Sequence, residues 1–304
     1  MPFNFTKFIF KLKFLKSKDY GNIIPPQVLR GRETKLKRII KSNRTLYRFF
    51  YKFFRCNRYV FILRNFRKNT DALFRTLSIE TYALCNRKCP FCPVAYDNNP
   101  KAIMPTEVFE KIINELKELN FHGEIGLSNY GEPLLDERLP KFVRGIKKEL
   151  GSRIVISTNG DFLTVDKFRE LVSAGVDVFH VSQHDSEPSE TIKKLFSQIT
   201  PAEWKYISYE IVKEDSVTLT NRGGSLKIET LYPFYCDVQH TIIRATGEVC
   251  FCCNDYYNEV KLGNVKNERL IDIWNKPFYR RIRREIKRGI FKLPICKKCL
   301  GIKT

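Results

Sequence analysis

No stretch of the chain approaches the roughly 18 apolar residues of a membrane-spanning helix; the longest run, Tyr59 to Leu63, has five. A signal peptide's uninterrupted apolar core and small-residue cleavage site are also missing, because aromatics alternate with lysines through residues 1–18. A cytoplasmic, non-integral protein is expected. Cysteine is too sparse for a disulfide scaffold, at ten in 304 residues, and it clusters in two regions, as metal sites in a reducing compartment do. Acid is scarce at one end: residues 1–70 hold 19 Lys and Arg against Asp19 and Glu33, whereas the rest holds 35 against 31. Most of the formal net charge of +21 therefore belongs to an N-terminal extension, and the body is nearly neutral.

With 43% hydrophobic residues the chain can bury a full core. The extension, residues 1–72, is interrupted by Gly21, Pro25, Pro26 and Gly31. Beyond them Leu36, Ile39, Ile40, Leu46, Phe50, Phe53 and Phe54 recur near helical spacing among Lys and Arg, which predicts a basic amphipathic helix. Such a helix suits an anionic membrane surface from the cytoplasmic side. Packing of its aromatics on the body is the plain alternative, and nucleic acid ranks behind both, since phenylalanine outnumbers base-reading polar residues. Cys56, within it, reads as a free buried thiol.

From residue 73 the pattern becomes strand and helix in alternation. Strands are expected over 76–82, 123–131, 152–160, 176–183 and 203–212, with amphipathic helices over 105–119, 139–150, 164–175 and 189–199. Short links between them argue for right-handed β/α units around a parallel sheet, with polar loops gathered at the C-terminal strand ends. This core extends to residue 224. The remainder, 225–304, breaks the rhythm with a β-hairpin turning at Thr246 and Gly247 and one helix over 268–289.

Cys85, Cys89 and Cys92 follow the first strand as Cys-x3-Cys-x2-Cys, with no fourth cysteine and no histidine nearby. Structural zinc is closed by four ligands, so it fits poorly, and chance clustering is the other plain alternative. Three thiolates can hold three irons of a [4Fe-4S] cube and leave the fourth open to a small molecule. Two later motifs sit at successive strand ends: Gly131, Glu132 and Pro133, then Ser157, Thr158 and Asn159. Elsewhere each would read as an ordinary turn; here both fall on the sheet edge where open parallel sheets place ligands.

On these residues the chain resembles the radical S-adenosylmethionine (radical SAM) superfamily over about residues 76–304. The resemblance implies a partial (β/α)6 TIM-like barrel in which Cys85, Cys89 and Cys92 hold a [4Fe-4S] cluster whose open iron binds S-adenosylmethionine. It further implies an aromatic before the last cysteine, Phe91, contact of Gly131, Glu132 and Pro133 with the methionine amino group, and approach of Ser157, Thr158 and Asn159 to the ribose.

The second cysteine group comprises Cys236, Cys250, Cys252, Cys253, Cys296 and Cys299. It resembles the SPASM/Twitch extension of that family: Gly247 to Cys252 matches Gly-x4-Cys, Cys296 and Cys299 form the later Cys-x2-Cys, and "LGNV" and "DIWN" lie between. The resemblance implies an auxiliary [4Fe-4S] cluster on Cys236, Cys252, Cys296 and Cys299, with Cys253 as the alternative to Cys252, the role of Cys250 left open, and zinc as the competing metal.

What the resemblance implies for activity is one-electron cleavage of S-adenosylmethionine, hydrogen abstraction from a substrate, and a net oxidation supported by the auxiliary cluster. A flavodoxin or ferredoxin would donate the electron. A sugar, cyclitol or lipid-linked saccharide is the leading substrate class. A ribosomal-peptide maturase that forms a crosslink, an epimer or a thioether is the alternative, and a nucleic-acid-modifying iron-sulfur enzyme follows. Tyr130, Gln183, His184, Asp185 and Arg222 are the substrate-facing candidates, near strand ends or the entry to the C-terminal module, with His184 suited to relaying a proton.

Overall fold

The computed structural model describes residues 68–96, 102–185, 187–212, 219–227 and 236–301, together with Ile62, Asn65 and Phe66, which are helical. Cys56 and the rest of the basic extension, with its expected surface contact, lie outside the described residues.

Strands β1 (Thr76–Ile79), β2 (Glu124–Gly126), β3 (Arg153–Thr158), β4 (Val178–Gln183) and β5 (Ile207–Ile211) form in the expected order. With β6 (His240–Ile243) and β7 (Val249–Cys250) they make one unclosed sheet ordered β5-β4-β3-β2-β1-β6-β7. Every pairing is parallel except that of β6 with β7. The cysteine-bearing C-terminal segment is thus not a separate layer. Its first strand docks on β1, in register from Thr76 opposite His240 to Ile79 opposite Ile243.

Four amphipathic helices bridge the first five strands: α1 (Thr106–Glu118), α2 (Leu139–Leu150), α3 (Val165–Ala174) and α4 (Glu190–Gln198). Their apolar stripes, including Ile112, Leu116, Phe142, Ile146, Phe168, Leu171, Ile192 and Leu195, join Leu77, Ile125, Ile154, Ile156, Phe179 and Val181 of the strands in one core. Local chemistry sets their ends. The Thr164 hydroxyl accepts from the Lys167 amide to cap α3, and Gly175, at φ 118°, closes it in a left-handed conformation that costs glycine little.

The structure corrects several boundaries. The strands are shorter than expected because the polar residues that follow them turn away to form the site. Residues 203–206 are a 3-10 turn that leads into β5. The single helix expected over 268–289 is two, α5 (Leu270–Asn275) and α6 (Pro277–Lys287). Pro277 forces the break: it has no amide to donate back, and it holds Lys276 extended at φ −51°, ψ 135°. A further helix, α7 (Pro294–Leu300), carries Cys296 and Cys299 three residues apart and so on one face.

The C-terminal part is pinned to the start of the core by Arg283, 1% exposed. Its guanidinium lies 3.6 Å from the Trp274 ring centroid, donates from Nε to the Thr70 carbonyl at 3.1 Å and from Nη1 to the Trp274 carbonyl at 2.8 Å. Burial pushes its pKa down to about 10.

Candidate active site

The loop after β1 presents Cys85, Cys89 and Cys92 to a cavity at the C-terminal strand ends. Phe91, Asn129, Tyr130, Gly131, Ser157, Asn159, His184 and Arg222 complete most of its wall. The loop is held from below. Arg87 donates to both carboxylate oxygens of Asp161 and, at 2.8 Å, to Asp185, while Asn86 donates to Asp161 at 2.7 Å and accepts from Asn159 at 2.9 Å. The Asp161 bond raises the Arg87 pKa above its ordinary value. Burial opposes the Asp161 charge, yet Arg87 and Asn86 outweigh it and hold this carboxyl below the usual range.

Gly131 is required by close approach. A β-carbon there would sit 1.9 Å from the Tyr82 carbonyl oxygen, so the end of β2 could not seat against the chain leading into Cys85. The adjacent Glu132 amide donates to the Leu84 carbonyl at 2.7 Å. Glu132 itself, 2% exposed, stands behind the cavity wall. Its carboxylate accepts from the Thr158 hydroxyl at 2.7 Å, the Asn159 amide at 2.9 Å and the Leu134 amide at 3.1 Å. Burial raises its pKa and these donors offset part of the rise. Pro133 is buried in the following 3-10 turn.

Among the substrate-facing candidates, Tyr130, His184 and Arg222 meet at the cavity, and Gln183 and Asp185 do not line it. Gln183 is fully buried, donating to the Asn159 carbonyl at 2.8 Å and accepting from the Ser189 amide, so it spaces the ends of β3 and β4. Asp185 is spent on Arg87. The His184 ring lies 4.9 Å from Phe91, and its buried Nδ1 has no partner among the described residues. Burial and then Arg87 lower its pKa, which keeps the imidazole neutral at pH 7. The Tyr130 hydroxyl donates to the Cys253 carbonyl, and the Arg222 guanidinium lies 5.7 Å over the Tyr130 ring. Arg222 adopts φ 48°, a conformation that costs a non-glycine residue about 1 kcal/mol.

Sequence reasoning missed Arg87, Asp161, Asn86 and Glu80. Glu80, at the end of β1, accepts from the Tyr130 amide at 3.0 Å and the Ala245 amide at 3.3 Å, tying three strand ends together. Two charged residues beside the cysteine motif, Glu80 and Arg87, were the available signal.

A second cavity holds the other thiols. Cys236, Cys252, Cys253, Cys296 and Cys299 line it with Phe251, Ile286, Phe291 and Ile295. Cys250 does not; it is buried on β7 with its thiol 3.6 Å from the Asn258 side-chain oxygen. Cys252 accepts from the Asn254 amide at 3.4 Å, and Cys299 from the Asn254 side-chain nitrogen at 3.4 Å. Cys253 lines both cavities and is the one exposed thiol among the described cysteines, because it faces this opening.

Both thiol sets fit iron and sulfur. Burial, then the neighbouring Cys92 and Cys85, pushes Cys89 up to about 11. Burial and Cys299 push Cys296 up to about 12, and Cys236 is raised further. Cys253 is the exception, held below the ordinary thiol value by the hydrogen bond from Cys252 and by Arg222. The other thiols ionise only against a strong local positive charge, which a metal cluster supplies. No three Cys, His, Asp or Glu among the described residues converge on the spacing of a single metal ion. A cubane carries its irons on separate corners, so its thiolates stand further apart.

Comparison with known proteins agrees with this arrangement. The Radical SAM superfamily profile matches residues 79–218, and SPASM, an iron-sulfur cluster-binding domain, matches 236–300. The S-adenosyl-L-methionine-dependent 2-deoxy-scyllo-inosamine dehydrogenase of Niallia circulans is 29% identical over 241 residues, 76% of this chain and 95% of that protein. The crystal structure of BtrN in complex with AdoMet and 2-DOIA superimposes with a TM-score of 0.68 at 28% identity, over 75% of this chain and 93% of that one. BtrN in an open conformation gives 0.56 at 25% identity over the same shares. The two domains together indicate a [4Fe-4S] cluster that works with S-adenosylmethionine and an auxiliary cluster. The chain belongs to the radical SAM superfamily and carries a C-terminal SPASM iron-sulfur cluster-binding domain.

Proposed function

We propose that the enzyme dehydrogenates a carbinol carbon of a cyclitol or sugar, converting H–C–O–H to C=O. The observation that carries this reading is the cavity shared by the two thiol sets: Cys85, Cys89 and Cys92 form one side, and Cys253, which also lines the second cavity, is on its wall. A small molecule held there lies between a hydrogen-abstracting centre and an electron acceptor. The relation to a 2-deoxy-scyllo-inosamine dehydrogenase supports the same class.

On this reading Cys85, Cys89 and Cys92 hold the first cluster, and Cys236, Cys252, Cys296 and Cys299 hold the second. Cys252 is preferred to Cys253 because the Asn254 amide already donates to its sulfur, as to a thiolate ligand. Together the bound groups supply one-electron cleavage of S-adenosylmethionine, hydrogen abstraction and uptake of the second electron. The chain supplies position and proton handling. Gly131, Ser157 and Asn159 receive the methionine and ribose portions, with Glu132, Thr158, Pro133 and Gln183 fixing them from behind. Phe91 fills the wall beside His184 and excludes water. Arg222 and Tyr130 orient the reacting oxygen. His184, kept neutral by burial and Arg87 and lining the cavity, accepts the hydroxyl proton. Flavodoxin or ferredoxin is the electron donor on this account.

The basic extension suits a lipid-linked saccharide reached from a membrane surface, and residues 1–70 would make the contact. Among the described residues no helix is long and apolar enough to cross a membrane. The main test is anaerobic turnover of reconstituted protein with reductant, S-adenosylmethionine and a panel of cyclitols that includes 2-deoxy-scyllo-inosamine. One ketone per 5′-deoxyadenosine is expected. Formation of 5′-deoxyadenosine with no oxidised product from any sugar or cyclitol would reject the substrate class. Flotation with anionic vesicles tests the extension, and salt-sensitive RNA binding without lipid affinity would remove the membrane contact.

A further inference from the structure

We propose that Arg222 is an electrostatic bridge between the two cluster sites, a positioning residue whose fixed positive charge sets the reduction potentials of both. The inference rests on the two-cluster reading above and adds to it a role that does not require substrate.

The backbone around Arg222 is built for one placement. Arg222, Gly223 and Gly224 take φ 48°, 68° and 91° in succession, and Arg222 alone of the three carries a side chain. The two glycines are pressed against the second site. A β-carbon on Gly223 would meet the Asn254 carbonyl oxygen at 2.7 Å, and one on Gly224 would meet the Lys298 side chain at 3.2 Å. Asn221 donates to the Lys298 carbonyl at 3.0 Å, and a β-carbon on Gly223 would also meet the Ile295 side chain at 2.8 Å. The turn is therefore fastened to α7, the helix that carries Cys296 and Cys299.

The side chain projects the other way, into the wall of the first cavity beside Cys92, Tyr130 and Cys253. Among the described residues no carboxylate pairs with it, and its buried Nε has no hydrogen-bond partner. Burial works against its charge, and the groups that counter this are Tyr130, Cys253, Cys92 and Cys252, which belong to both sites. A desolvated guanidinium favours whichever neighbouring state carries more negative charge. For an iron-sulfur cluster that is the reduced state, so a nearby fixed cation raises its potential.

The experiment is an EPR-monitored redox titration of reconstituted full-length protein without substrate, on wild type and on Arg222→Gln, Arg222→Lys and Arg222→Gly. Arg222→Gln is expected to shift both midpoint potentials in the negative direction, and Arg222→Lys to restore most of the shift. Arg222→Gly relieves the left-handed backbone, so it should fold with a Tm at or above wild type and still show the Gln shift. Glycine thus separates lost charge from lost folding. Unchanged potentials in a Gln variant that retains both clusters would overturn the proposal, as would a shift confined to one cluster. Wild-type protein with about four rather than about eight irons would instead reject the two-cluster reading, through a measurement made before any titration.

Discussion

The two thiol sets are built by opposite strategies. Cys85, Cys89 and Cys92 fall within one short loop, placed by its ties to Asp161, Asn159 and the end of β2. The second set gathers Cys236, the segment after β7 and the face of α7, separated by up to 63 residues of chain, and it exists only when all three segments are packed. A site from one loop can be read from spacing and leaves a coordination position for a ligand. A site from three segments is closed by the fold and reports on its integrity. The lesson is that the open site belongs to chemistry on a bound molecule and the closed site to holding charge.

The strongest way to break this contrast is to remove one set at a time. Changing Cys85, Cys89 and Cys92 together to alanine should reduce 5′-deoxyadenosine formation to the no-enzyme baseline while retaining about half of the roughly eight irons, as read by iron analysis and EPR. The reciprocal Cys296→Ala, Cys299→Ala variant should also keep about four irons. It should still cleave S-adenosylmethionine but form no ketone. Equal loss of both activities would mean that the sites are not independent. A subtler variant sharpens the comparison: Gly131→Ala forces a β-carbon into the Tyr82 carbonyl. It should cost about 3 kcal/mol in urea denaturation and deplete iron from the first site in preference to the second.

The smallest expected effect concerns the joint between the sites. His240 opens β6 and meets the Ser78 hydroxyl of β1 at 2.9 Å. Burial lowers its pKa below the ordinary 6.5, with Asp237 opposing in part. The unfolded chain then binds this proton more readily than the native protein does. The contribution is fully present above pH 6.5 and is lost as pH falls through the native value. Wild-type Tm should drop between pH 7 and pH 5 by more than that of His240→Gln.

The order of strands and helices was legible because apolar periodicity is a local property, and so were the two cysteine groups, whose spacing is chemistry written along the chain. The break at Pro277 was also legible and overlooked, since a helix interior does not tolerate a residue without an amide. Tyr130 and His184, placed near strand ends, and Arg222, placed at the entry to the C-terminal module, converge at the cavity. Gln183 does not, because its amide is used to space β3 and β4, and no sequence pattern distinguishes a reactive glutamine from a spacer. The Arg87 to Asp161 ion pair spans 74 positions, so neither partner identifies the other by spacing. The docking of β6 onto β1 was hidden for a related reason: a hairpin signal specifies its own turn and not the strand it will join.

That docking has a consequence for synthesis. Until residues 240–243 emerge from the ribosome, β2 is the only partner of β1 among the described strands, and the amides and carbonyls that β6 will meet await it. At ordinary translation rates the roughly 160 residues between the two strands take roughly 8 to 30 seconds to make. Throughout that interval a nascent chain that already carries Cys85, Cys89 and Cys92 lacks the strand that completes this side of the sheet, an edge of the kind on which a foreign strand can add.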